Sequence, residues 1–66
     1  MKLKNLLDMY DNWNGTIVVN DDNLNLVTKA RTWDVAHNKR LCRCKVLTFG
    51  FYDDEFCVRI RSCNVL

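Results

Sequence analysis

Four cysteines and one histidine carry the widest chemical repertoire in this 66-residue chain. Thiolates and an imidazole make a zinc site when four of them converge as a tetrahedron. The spacing here works against that. Cys42 and Cys44 are separated by one residue, where zinc pairs usually leave about two to four. Cys57 and Cys63 are six residues apart, roughly 20 Å along an extended strand, so one ion cannot take both unless the strand breaks. Cys42, Cys44, Cys63 and His37 form the one ligand set that geometry leaves open. A Cys44–Cys63 disulfide is the other alternative. Strand pairing would place the two opposite each other with Cβ atoms about 4.5–5.5 Å apart, while a bridge needs roughly 3.5–4.5 Å. The simplest expectation is four buried or half-buried thiols with no metal and no cofactor.

Catalysis has little to draw on. The chain has one His and one Ser, and Gly15 and Gly50 are isolated, so neither a triad order nor a phosphate-binding loop is present. Asp21-Asp22 and Asp53-Asp54 could be acid pairs, but Asp side chains bond their own backbone and are more simply turn formers. The expected class is non-enzymatic.

Charge offers a binding chemistry instead. The net charge is +2. Residues 29–45 hold Lys29, Arg31, Lys39, Arg40, Arg43 and Lys45 against Asp34 alone, a net +5, between ends of −2 and −1. Arg59 and Arg61 could add to this block from the outer face of a later hairpin, with Tyr52 farther along that face. Clustered cations bind phosphate, and exposed aromatics stack on bases. No nucleic-acid motif accompanies them.

The elements that must position these residues follow from periodicity. Leu3, Leu6, Leu7 and Tyr10 take the spacing of an amphipathic helix that stops within 11–15, where Asn and Gly tolerate the left-handed conformation. Trp13 should fold back on the core. Thr16–Asn20 is β-branched, Asn20–Asn23 is a turn, and Leu24–Thr28 alternates, which predicts a hairpin with Ile17, Val19, Leu24 and Leu26 on one face. Thr32 is a candidate N-cap for a short helix over 33–37 whose Trp33 and Ala36 face inward, with Leu41 beyond it.

The strongest signal is the hairpin from Arg43 to Ser62. An even loop centred on Asp53-Asp54 pairs Tyr52 with Glu55, Phe51 with Phe56, Phe49 with Val58 and Leu47 with Ile60. The last six of these share one apolar face. The expected fold is α+β: a single domain over 1–66, with a four-stranded antiparallel sheet made of two β-hairpins, an N-terminal helix on one face, and a short helix or turn between the hairpins. A small curled barrel of the same strands is the alternative.

Lys2, Lys4 and Leu6-Leu7 resemble the start of a signal peptide, but Asp8 and Asp11 interrupt the apolar run. No stretch approaches the ~20 residues of a membrane span. The expected location is the cytoplasm, with no membrane partner.

Tyr10–Gly15, Val19–Asn25 and Phe49–Arg59 resemble a group of very small proteins of Firmicutes phages and prophages. The resemblance covers most of the chain outside residues 29–45 and brings no catalytic residues. It implies a viral or prophage protein at work in a host cell. Such proteins often bind and block a host protein, and anti-CRISPR inhibitors are one such class. The expected function is a small binding protein, an inhibitor of a host defence nuclease in its sharpest form. The alternative is a nucleic-acid-binding module built on 29–45. The contact candidates are Lys29, Arg31, Lys39, Arg40, Arg43, Tyr52, Asp53, Asp54, Arg59 and Arg61. Self-association is open, because a hairpin at a sheet edge can pair with a copy of itself.

Overall fold

The computed structural model describes residues 1–61. Its core is one apolar layer between a sheet and three short helices. The first helix, α1 (Leu3–Asp8), buries Leu3, Leu6 and Leu7, as its periodicity requires. Its start is tied down, since Leu3 N–H donates to Cys44 O and Val46 N–H donates to Met1 O, both at 2.8 Å.

Strands β1 (Thr16–Asn20) and β2 (Leu26–Arg31) form the first hairpin. Its tip works through Asp21, whose carboxylate accepts from the backbone N–H of Asn23 and Asn25, each at 2.9 Å. The loop is longer than the sequence suggests. Asn20 pairs with Leu26, a bulge follows, and Val19 pairs with Thr28. Leu24 therefore sits in the loop at φ 64°, and Leu24 and Leu26 are exposed rather than inward.

Two helices follow, α2 (Thr32–Ala36) and α3 (Lys39–Cys42). Thr32 opens α2 but does not cap it. Its hydroxyl donates to Gly15 O at 3.1 Å, where the Thr32 N–H also donates, and this clamps the helix to the entry of β1. Trp33 is half exposed rather than inward, packed edge-on against Trp13 and over His37. α3 has no counterpart in the sequence reading. It starts at Asn38, whose side chain accepts from the N–H groups of Arg40 and Leu41, an N-cap that satisfies donors the short helix leaves free.

β3 (Val46–Tyr52) and β4 (Glu55–Ile60) make the second hairpin. Tyr52 pairs with Glu55, Phe51 with Phe56 and Phe49 with Val58, as the apolar pattern demands. Asp53 and Asp54 both have positive φ, 52° and 64°, as a two-residue type I′ loop needs. The register slips beyond Phe49: a bulge at Leu47 sets Val46, not Leu47, opposite Ile60.

The sheet order is β2-β1-β4-β3, and β1 runs parallel to β4. The sheet is thus mixed rather than antiparallel, and its edge strands β2 and β3 do not meet, so it is open rather than a barrel. Ile17, Val19, Phe56, Val58 and Ile60 point to one side and are buried with α1, Val35, Cys44 and Val46. Phe49 and Phe51 lie on that side too but are not in the core. They are 53% and 63% exposed, at the edge that no described helix covers. Among the described residues, no helix is long and apolar enough to cross a membrane.

Two variants check this architecture. Leu7→Ala should cost about 2–5 kcal/mol, and an unchanged melting temperature would mean that α1 does not seal the core. Leu24→Gly should raise the melting temperature. Relief of left-handed strain, about 1–2 kcal/mol, outweighs the roughly 0.5–1 kcal/mol of chain entropy that glycine adds to the unfolded state.

Candidate functional site

Side chains alternate across a strand, so the sheet's second face carries what the core does not take. Following the registers, Thr16, Val18 and Asn20 come from β1, and Leu26, Lys29 and Arg31 from β2. Glu55, Cys57 and Arg59 come from β4, and Thr48, Gly50 and Tyr52 from β3. No described helix packs on this face. Four of the residues singled out by charge and aromaticity, Lys29, Arg31, Tyr52 and Arg59, meet here. The parallel β1–β4 pairing brings them together, because it sets the outer rows of both hairpins side by side.

The charges on this face are partly matched. Lys29 Nζ reaches across β1 to Glu55 Oε2 at 2.8 Å. The hydrogen bond that Lys29 donates to Glu55, and then the charge of Glu55, hold the Lys29 ammonium above its ordinary titration range. Arg31 Nε lies 3.5 Å from Asp34 Oδ2 at the start of α2. Arg59 is half-buried, and its Nε is enclosed without a hydrogen-bond partner among the described residues. Tyr52 is 66% exposed, and its ring lies back over Gly50. A Cβ at Gly50 would stand 3.4 Å from that ring, so the glycine gives the aromatic a floor. The face is thus an open, mixed-charge surface with one exposed ring.

The other contact candidates lie elsewhere. Asp53 and Asp54 form the turn next to Tyr52, at the rim of the face. Arg61 follows β4, its N–H donating to Lys45 O at 2.9 Å. Lys39, Arg40 and Arg43 are exposed on and just after α3, in the helix layer on the opposite side. The basic block of residues 29–45 is therefore split between two sides of the molecule rather than gathered in one patch. Glu55 and Gly50 are contributors that the sequence reading did not single out. The role of Glu55 depends on β4 lying next to β1, whereas that of Gly50 follows from standing two residues before Tyr52 on one face of β3.

The described members of the zinc set, Cys42, Cys44 and His37, do not come together. Among the described residues, no three of His, Cys, Asp and Glu stand together to hold a metal, and Cys63 lies outside the described residues, as does the Cys44–Cys63 bridge. Backbone carbonyls occupy the others. Cys42 Sγ donates to Val35 O and Ala36 O, and His37 Nδ1–H to Trp33 O at 2.8 Å. Cys44, expected on the outer strand face, is instead buried before β3 begins, with its Sγ 3.5 Å from Arg40 O. Cys42 and His37 line an open pocket of about 340 Å³ with Lys4, Asp8, Trp13 and Lys39. Burial pushes the Cys42 thiol up.

Comparison with family models, with curated proteins and with solved structures returned no match for this chain.

Two measurements probe this chemistry. Glu55→Gln should lower the Lys29 titration seen by NMR; an unmoved value means the pair does not form in solution. Because the folded-state value lies above the unfolded one, the pair contributes at neutral pH and is lost only as pH rises beyond the ordinary lysine value of 10.5. At mildly alkaline pH, Cys42 should react more slowly with a thiol reagent in the folded chain than in urea, and equal rates contradict its burial.

Proposed function

We propose that the chain acts by association rather than catalysis, as a small binding protein of the phage or prophage kind that its hairpin segments resemble. Its contact surface is the helix-free face of the sheet, and its partner is a host protein. One observation carries the reading: Lys29, Arg31, Tyr52 and Arg59 converge on one open face that the core does not use. Tyr and Arg are the residues that most often anchor protein interfaces, and the alternation of Lys29, Glu55, Arg31 and Arg59 suits a partner of mixed charge better than a polyanion. The sharper form is an anti-CRISPR-like inhibitor of a host defence nuclease. Asp53 and Asp54, at the rim beside Tyr52, support it, because such enzymes hold nucleic acid in positive grooves that an acidic tip can enter.

Single-stranded nucleic acid is the second reading. A helix-free face with one ring and three cations favours it, while the ion pairs at Lys29 and Arg31 and the remote position of Lys39, Arg40 and Arg43 weigh against it.

An affinity capture from nuclease-treated host lysate tests the first reading. The wild type should retain a host protein, and Tyr52→Ala and Arg31→Glu should each weaken that capture by roughly thirtyfold, the size of a single anchor residue. Capture that is indifferent to both changes removes this face as the contact surface. A mobility shift with random DNA and RNA tests the second. Binding that falls steeply with salt would favour nucleic acid, and none at low salt excludes it.

A further inference from the structure

The two edges of the sheet are built differently. β2 carries Lys29 and Arg31 and is broken by a bulge at its loop end, the usual defences against pairing with another chain. β3 has neither over its last five residues. Thr48, Phe49, Gly50, Phe51 and Tyr52 hold no charge and no proline. They pair with β4 in unbroken register, so no bulge interrupts their free edge. The bulge at Leu47 closes this stretch at one end and the Asp53-Asp54 turn closes it at the other. Residues 1–3 occupy the neighbouring lane alongside residues 44–46, through the Lys2–Lys45 bridge and the Met1 O–Val46 hydrogen bond.

We propose that β3 pairs antiparallel with β3 of a second copy, about a two-fold axis through Gly50, to make a continuous eight-stranded sheet. Three features fit a second copy. The open stretch is symmetric about Gly50, so each end of one strand finds its complement on the other. Phe49 of one copy falls opposite Phe51 of the other on the helix side, and these are the rings the helices leave 53% and 63% exposed. Aromatic rings packed directly opposite each other stabilise an antiparallel strand pair.

Charge completes the match. Lys2 and Lys45 face each other at the start of β3, a like-charge contact that is unfavourable by itself. In this register the Asp53-Asp54 tip of one copy ends beside that lysine pair of the other. The tip stops at Leu47, short of the lane that residues 1–3 fill. An edge with a basic end and an acidic end is complementary to its own antiparallel copy, and the two-fold makes the contact isologous and closed. The pairing leaves the second face of the sheet open, so it stands whether or not that face binds a host protein.

Sedimentation equilibrium of the full chain tests this. The wild type should approach twice the monomer mass as concentration rises. Phe51→Lys should weaken the dimer at least tenfold, about 1.4 kcal/mol. Phe49→Glu combined with Phe51→Lys should restore it, because the introduced carboxylate of one copy meets the introduced ammonium of the other. Both positions are exposed, so the variants keep their fold, and circular dichroism checks that they do. A wild type that remains monomeric at every concentration overturns the proposal. So does a dimer insensitive to Phe51→Lys, which would place the contact elsewhere. Lack of rescue by the double variant rejects the Gly50-centred register.

Discussion

The structure depends on the pairing of β1 with β4. These are the two strands whose inward residues, Ile17, Val19, Phe56, Val58 and Ile60, are all buried. Lying next to each other, they form an apolar strip on which the three helices can sit. A chain of this length buries only about 60% of its unfolded surface, so it cannot afford two such strips. The helices are six, five and four residues long, too short to hold together in water by themselves. They persist because Leu3, Leu6, Leu7, Val35 and Leu41 complete the layer that β1 and β4 begin.

The limits of that layer account for both surfaces of interest. α1 is about 9 Å long, and four strands span roughly 14 Å from first to last. Cover therefore runs out at β3, and Phe49 and Phe51 stay on the apolar side without a lid. Tyr10 reaches part of the way, stacking on Phe56 at 4.3 Å and touching Phe51 at 6.1 Å between ring centroids. On the other side of the sheet, the apolar residues are scattered, Val18 on β1 and an exposed Leu26 on β2, and form no strip for a helix to cover. Long side chains close over the strands instead, Lys29 to Glu55 above β1 and Tyr52 above Gly50.

The candidate site was legible residue by residue but not as a place. Tyr52 and Arg59 could be put on a common face because both lie in one hairpin, where the Phe51–Phe56 and Phe49–Val58 pairs fix the register. Lys29 and Arg31 belong to the other hairpin, and no local signal says which of its edges adjoins the first. The basic block misled for the same reason: proximity along residues 29–45 is not proximity in space once a strand ends and α2 and α3 turn away. Thr32 was read as a helix cap from its type alone, while its hydroxyl is used in a contact seventeen residues away, at Gly15.

The sequence by itself determined the local elements: the apolar stripe of α1, the two hairpins, the turns at Asp21 and at Asp53-Asp54, and the alternation that fixed most of the β3–β4 register. These follow from periodicity and turn chemistry, which act over a few residues. Only the tertiary structure decided that β4 lies parallel to β1, that the sheet stays open, and that Leu47, Phe49, Phe51, Leu24 and Leu26 remain outside the core. Those outcomes turn on how far a small number of buried side chains can cover a sheet, a quantity set by the whole chain. The same balance left one face of the sheet without a described helix and one edge without a described neighbour over residues 48–52.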